Sequence, residues 1–461
     1  MSYNAPEGTS DMLPAVARLW QHTTDVASKL FATYGYEPID TPLFELTEVF
    51  SRGIGEATDV VGKEMFVVRS GENYKRALAA GDDSVLKSKQ KLSLRPEGTA
   101  GVVRAVVQHN LVQQGAAPVK LFYTGPMFRA ERPQKGRLRQ FHQIGAECLG
   151  STEPTADAEM IIMLMRFFER MGVPAASMRL LINSMGDEHC RPAYREQVRQ
   201  YILNHEHEMC DECRRRADTN PLRAFDCKHE TCAQVMAGAP KITDYLCDDC
   251  RTHYEAVKTL LDASGIVYKE DPTLVRGLDY YTRTVFEVQV TKGMGAQNAI
   301  GGGGRYDKLA EDVGGRPTPG LGFALGFERM VLALEAAGTL TDAPNHIDGY
   351  IACVDDSVRP VAFELLTVAR DAGLSFDMDH QGKSLKSQFK MADKLGVHVV
   401  MVLGPEELAC GKVRLRNMKT HSERLLDIAA ARKVLSQFGG RPVGSVSTPI
   451  SVDDLFTLNN P

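Results

Sequence analysis

With 461 residues, the chain is too long for one ordinary core and implies two or three domains. Its 43% hydrophobic and 25% charged residues exclude disordered and fibrous classes. A net charge of −5, from 54 Lys+Arg against 59 Asp+Glu, excludes a histone-like polycation but leaves nucleic-acid chemistry open to local basic patches. No apolar stretch approaches the roughly 20 residues that span a bilayer. The N-terminal residues form no signal peptide, so no membrane role and a cytoplasmic address are expected. Ten cysteines do not make a secreted disulfide scaffold, yet six of them fall between Cys210 and Cys250.

In chain order, Val16, Leu19, Trp20, Thr23, Val26, Leu30 and Phe31 recur at helical spacing up to Gly35 and predict a first helix. Pro38 and Pro42 frame an extended segment. Residues 75–91 have no buried period and read as a surface insertion. Residues 119–124 and 141–149 read as strands on either side of a polar loop, in which Arg129, Arg132, Lys135, Arg137 and Arg139 face Glu131 alone. A buried helix is expected over 159–171. From 188 to 254 the composition turns to Cys, Arg, Asp and His, the texture of a separate inserted module. A strand over 284–290, a tight glycine turn over 301–304, and a strand running into a helix over 320–334 follow. After a linker, strands and helices alternate over 350–403 as in a small α/β domain.

Several of these segments suit a ligand. Alternation puts Gln143, Gly145 and Glu147 on one strand face, and a small residue between two polar ones fits a cavity better than a packed sheet. Arginines meet phosphate oxygens bidentately, and the planar Phe141 just past the loop can stack on a base. Gly301-Gly-Gly-Gly-Arg-Tyr306 has neither P-loop nor dinucleotide spacing and reads as room for close approach. Cys210-x-x-Cys213 and Cys247-x-x-Cys250 have zinc-knuckle spacing and predict one structural zinc on these four thiols, with Cys227 and Cys232 left over.

Six segments taken together resemble the signatures of class II aminoacyl-tRNA synthetases, and within them the histidyl-tRNA synthetases. Tyr36-Glu-Pro-Ile-Asp-Thr-Pro42 resembles the class's motif 1, the stretch from Phe128 to Glu147 its motif 2, and Gly326-Phe-Glu-Arg329 its motif 3. The segments from Leu274 to Tyr281 and from Gly302 to Asp307 resemble the two histidine-specific elements, and Arg95-Pro-Glu-Gly-Thr-Ala100 the amino-acid loop. The resemblance covers about residues 5–435. It implies an α+β fold: an antiparallel-sheet catalytic core with an inserted domain and a C-terminal α/β anticodon-binding domain. The segments are then 1–187 and 255–338 for the core, 188–254 for the insertion, 339–349 for the linker, 350–438 for the anticodon-binding domain and 439–461 for a tail.

The same resemblance implies residue roles. Arg129, Arg276 and Arg329 would be catalytic. Arg129, Glu131, Phe141 and Arg329 would hold ATP with its Mg2+. Glu97, Gly98, Thr99 and Gln143 would receive the amino end of histidine, Glu147 and Tyr281 its imidazole nitrogens, and Tyr280 would line the pocket. Lys383, Lys386, Lys390 and Lys394, spaced for one helical face, would contact the backbone of the histidine tRNA. A homodimer that links histidine to tRNA through histidyl-adenylate is expected. The alternative from another class is a catalytically inactive, synthetase-like regulatory subunit of histidine biosynthesis, which the intact Arg129, Arg329 and Arg-Gly-Leu-Asp-Tyr-Tyr281 disfavour.

Overall fold

Thr23, Ala27, Leu30 and Phe31 bury one face of helix α1 (Pro14–Ala32), which starts at a proline whose missing N–H would be unpaired there anyway. The computed structural model describes residues 3–55, 58–341 and 347–437. They fall into two compact units, divided after Asp342.

The first unit is built on an eight-stranded sheet. In chain order its strands are β1 (Glu37–Pro38), β2 (Val119–Phe128), β3 (Gln140–Leu149), β4 (Met178–Ser184), β5 (Lys269–Glu270), β6 (Thr282–Val290), β7 (Ala299–Arg305) and β8 (Gly320–Gly326). Their spatial order is β1-β2-β3-β8-β7-β6-β4-β5. The central six are antiparallel, and the two-residue β1 and β5 add parallel at the edges. Helix α2 (Thr99–Gln108) follows the amino-acid loop. Helix α3 (Pro154–Arg170) is apolar nearly all round and packs Ile161, Leu164, Phe167 and Phe168 into the same core as Phe286, Phe323 and Leu325.

Two expectations are corrected here. Residues 301–304 form no turn; they lie inside β7, paired on both sides. A Cβ on Gly301 would press on Phe168 in the core, and one on Gly302 or Gly304 would press on Arg276 or Tyr281 on the opposite face. The run is therefore a strand stripped of side chains on both faces. The insertion folds as helices α4 (Arg191–Asn204), α5 (Asp211–Thr219), α6 (Glu230–Ala237) and α7 (Asp248–Ala263). The last of these runs straight through the boundary expected at 254, because Tyr254, Val257 and Leu261 pack into the main core. Residues 75–91 hold the end of a helix, Gly71–Ala80, which buries only Ala77.

Helix α8 (Phe327–Ala337) closes the first unit. In the second, β9 (Gly349–Cys353), β10 (Phe376–Met378), β11 (Val399–Leu403), β12 (Lys412–Asn417) and β13 (Glu423–Asp427) form a sheet ordered β10-β9-β11-β12-β13. Its first three strands are parallel, with helices α9 (Arg359–Asp371) and α10 (Leu385–Lys394) in the crossovers; helix α11 (Ile428–Gln437) follows β13. The expected tail at 439–461 lies outside the described residues, as do residues 342–346 of the linker. Among the described residues no helix is long and apolar enough to cross a membrane.

One buried ion pair fastens the first unit. Arg305, at the end of β7, is paired with Asp157 of α3, and both side chains are 1% exposed. Arg305 also donates to the Ser151 carbonyl at 2.6 Å, and His253 Nε2 of α7 lies 3.3 Å from Asp157 Oδ1. Burial alone would raise the Asp157 carboxyl, but the His253 hydrogen bond and the Arg305 charge hold it below the ordinary range. Its contribution is thus complete above the unfolded value near about pH 4 and is lost as pH falls through the native one. Asp157→Asn should cost about 3–5 kcal/mol, because Arg305 stays buried beside a neutral partner. Urea unfolding at neutral pH checks this.

Candidate active site

Glycines decide where the site can be. On the sheet face away from α3, Gly302 and Gly304 of β7 and Gly322 of β8 leave no side chain, and a cavity of about 210 Å³ is lined by Gly302 and Gly322. A Cβ on Gly322 would strike the Glu147 carboxylate, its cross-strand neighbour, and one on Gly320 would strike the Tyr306 ring. Gly145 has a different use from the one expected. It makes room for the ring of Tyr123 opposite it on β2, and Gly98 flanks the same ring, so the small residue serves packing and not a ligand.

One wall of the cavity is cationic. Arg129, Arg137, Arg276 and Arg329 all line it. Arg129 donates from Nε to the Pro96 carbonyl at 2.9 Å and stacks its guanidinium 5.2 Å from the Phe141 ring centre. Arg329, at the start of α8, donates to the Gly136 and Ala299 carbonyls at 2.9 and 3.2 Å. Burial, with the nearby Arg137 and Arg129, pushes its pKa below the ordinary arginine value. Such crowding of like charge in a partly desolvated cleft is relieved by a polyanion. Arg137 pairs with Glu131 at 3.0 Å, and Arg276 pairs with Glu287. Glu328 accepts from the backbone N–H of His142 at 3.0 Å, which pins the start of α8 to β3.

Beside these cations the lining is acidic and phenolic: Pro96, which accepts from Arg129, adjoins Glu97, and the Arg276 guanidinium lies 5.9 Å from the Tyr281 ring centre. Glu97 accepts from the backbone N–H groups of Thr99 and Ala100 at 2.8 and 2.9 Å, so the start of α2 orients it. Burial nevertheless raises its pKa. The Thr99 hydroxyl donates to Glu147 Oε1 at 2.7 Å, and the Tyr306 hydroxyl donates to Oε2. Glu147 is fully buried, and desolvation lifts its pKa to about 8 against the opposing pull of those two hydroxyls. Gln143 lines the cavity with its side-chain oxygen buried and without a hydrogen-bond partner among the described residues.

The structure gathers most of the expected residues around this one cavity: Glu97, Thr99, Arg129, Glu131, Phe141, Gln143, Arg276, Tyr280, Tyr281 and Arg329. Gly98 stands at the start of α2, against Tyr123. Glu147 requires a correction, because it sits one layer behind the wall with both oxygens engaged, and Tyr306 fronts it. Tyr306 and Glu287 were not singled out from sequence. A charged residue inside the apolar run of β6 was the available signal for Glu287, and a tyrosine directly after the glycine run was the signal for Tyr306.

Two other expected groupings come apart. Cys210 and Cys213 do not join Cys247 and Cys250. The first pair meets Cys227 and Cys232, and the second meets Asp187 and Cys190. Each Cys-x-x-Cys opens a different helix, α5 or α7, which sends the two pairs to different places. Lys386, Lys390 and Lys394 lie exposed on α10, whereas Lys383 precedes the helix and gives its backbone N–H to Asp379.

The model of the family described as histidyl-tRNA synthetase matches residues 8–330, and that of the anticodon binding domain matches 348–438. The chain belongs to the histidyl-tRNA synthetase family. A histidine–tRNA ligase of Halothermothrix orenii is 45% identical over 91% of this chain and 96% of its own length. One from Caldanaerobacter subterraneus is 42% identical over 94% of this chain and 100% of its own. The solved structure of the apo Staphylococcus aureus histidyl-tRNA synthetase superposes with a TM-score of 0.77 at 34% identity, covering 94% of this chain and 100% of that one. A Bacillus halodurans structure described as an ATP phosphoribosyltransferase regulatory subunit/histidyl-tRNA synthetase shares the fold at 20% identity and a TM-score of 0.58. The regulatory alternative is therefore not favoured, and membership makes this chain an enzyme that joins histidine to tRNA.

The raised pKa of Glu147 has a measurable consequence in any histidyl-tRNA synthetase built this way. Between the unfolded value near about 4.3 and the folded value of about 8, the native state holds a proton that the unfolded state has lost. Stability from this group therefore falls as pH rises through that window. Glu147→Gln should flatten the fall, so that thermal midpoints of variant and parent diverge in the variant's favour from pH 5 to 8.

Proposed function

We propose that this chain activates histidine with ATP in the cavity over β7 and β8 and then passes it to tRNA. The observation that carries this reading is the convergence, around one cavity, of a guanidinium cluster with a carboxylate, threonine and tyrosine set. In the first step a carboxylate oxygen of histidine attacks the α-phosphorus, the bond to the β-phosphate oxygen breaks, and pyrophosphate leaves. Negative charge builds on phosphate oxygens, so fixed cations and alignment are worth more than acid–base groups.

Arg129 and Arg276 would meet the α-phosphate and Arg329 the terminal phosphates, a reading supported by their presence around the one cavity. Phe141 offers a ring for the adenine and Glu131 a carboxylate for its amino group. Glu97, Thr99 and Gln143 take the ammonium group of histidine, which supplies the donor that the buried Gln143 oxygen lacks. Glu287 would give a hard oxygen ligand for magnesium, which would shield phosphate charge when bound. A neutral imidazole has one donor and one acceptor. Tyr281 meets one nitrogen, and Glu147, acting through or beside Tyr306, sets the polarity at the other.

The second unit is read as the tRNA-binding domain, with Lys386, Lys390 and Lys394 toward the RNA backbone. A second copy of the chain is expected against the exposed Leu43 and Phe44, which follow the motif 1 segment.

Histidine-dependent exchange of pyrophosphate into ATP tests the first step directly; no exchange by the purified chain overturns the reading. Arg276→His should lower the exchange rate about 10²-fold or more with little change in histidine KM, because its charge is wanted in the transition state. Glu147→Gln should raise histidine KM about tenfold or more while ATP KM stays within about twofold. A histidine KM within about threefold of the parent removes Glu147 from ring recognition. Replacing Lys386, Lys390 and Lys394 by Gln should weaken tRNA binding and flatten its salt dependence by about 0.7 per lost phosphate contact, with exchange unaffected. An unchanged salt slope leaves these lysines as solvated surface.

A further inference from the structure

The insertion contains two quartets of ligand-type side chains, and the zinc expected from sequence matches neither. In each quartet all four ligand atoms lie within 4.8 Å of one another. The first consists of Cys210, Cys213, Cys227 and Cys232. Cys210 Sγ and Cys227 Sγ are 3.8 Å apart, and the Cys210 backbone N–H donates to Cys232 Sγ at 3.2 Å. Tetrahedral zinc with bonds of about 2.3 Å sets its sulfurs about 3.8 Å apart.

The second quartet is Asp187, Cys190, Cys247 and Cys250. Asp187 Oδ1 is 3.5 Å from Cys190 Sγ and 3.8 Å from Cys247 Sγ. A tetrahedral ion with one oxygen and three sulfur ligands spaces oxygen and sulfur about 3.5 Å apart. The other oxygen, Oδ2, faces Arg283 at 3.5 Å, and the His189 backbone N–H donates to Oδ1 at 3.0 Å. This is the outer support that holds a ligating carboxylate in one orientation.

Core packing does not account for these quartets. Cysteines acting as small hydrophobes have no reason to converge in a group of four from three segments, or in a group of three around a carboxylate from two. All are free thiols, and Cys190, Cys213, Cys232 and Cys250 are buried. We propose that the insertion holds two zinc ions, one on Cys210, Cys213, Cys227 and Cys232 and one on Asp187, Cys190, Cys247 and Cys250.

Each site has its own structural task. The four-thiol site fastens the starts of α5 and α6 and the segment between them, where few aliphatic side chains are available. The mixed site lies at the neck. Asp187 and Cys190 stand where the chain leaves β4, and Cys247 and Cys250 stand where it returns through α7, so one ion clamps both connections to the core. Binding releases the thiol protons to solvent, and no electron is transferred.

The test uses the full-length chain, purified without chelator. Plasma emission spectrometry should find close to two zinc per chain. Cys232→Ser and Cys190→Ser should each reduce this to about one, and the double variant to near zero. Protein expressed in cobalt medium should carry two equivalents of cobalt with the charge-transfer bands of tetrahedral thiolate, which keeps the test independent of whether the variants fold. A content near one that either variant alone abolishes overturns the two-site assignment. A content near zero, with the six thiols between 210 and 250 freely reactive or joined as disulfides, overturns it entirely.

Discussion

The absence of Cβ atoms on one face of a sheet is the constraint from which the rest follows. Strands β7 and β8 cross the middle of the eight-stranded sheet, where ordinary side chains would fill the space above them. Glycine at 302, 304, 320 and 322 removes that filling, and Arg276, Tyr281, Tyr306 and Glu147 occupy or border the vacated space. A strand so poor in side chains gains little from its own burial and loses backbone entropy. Its stability has to come from neighbours: Phe168 beneath it, strands paired on both edges, and the Arg305–Asp157 pair at its end. The molecule thus locates its most deformable strand where its chemistry is, and anchors that strand from below.

The same face gathers the charges. Guanidiniums crowd the cavity, and Glu97 and Glu147 are held by backbone N–H groups and hydroxyls. Arg329 is depressed by burial and by the neighbouring Arg137 and Arg129, and Glu97 and Glu147 are raised by burial, so the groups of both signs are perturbed away from their charged forms. Perturbed groups of both signs around one cavity are the mark of a functional site.

Much of this was legible in the sequence because it is local. Alternation along 141–149 gives β3 and its polar face, a run of apolar residues gives α3 from 159 onward though not its first turn at Pro154, and the strand–helix alternation after 350 gives the parallel part of the second unit. Many residues of the contiguous motifs line one cavity, as Glu97, Arg129, Gln143, Tyr281 and Arg329 do, whereas Glu147 stands behind it. What failed was pairing across distance. Four consecutive glycines have the same local signature in a turn and in a strand, and only the strands on either side decide between them. Gly145 looked like ligand space because its cross-strand neighbour, Tyr123, cannot be known from spacing. The cysteine pairs announce ligands, but which pairs meet depends on where α5 and α7 begin.

Arg191, at the first position of α4, reaches back from the insertion and donates to the carbonyl of Tyr281 at 2.7 Å. The insertion and the pocket wall are therefore in mechanical contact, here through a side chain on a backbone oxygen and again where Arg223 donates to the Gly277 carbonyl at 2.6 Å. If any partner displaces α4, the position of Tyr281 changes with it, and the affinity for whatever Tyr281 holds changes too. Reciprocity then fixes the converse: a small molecule seated against Tyr281 must alter the affinity of that partner for the insertion by the same factor.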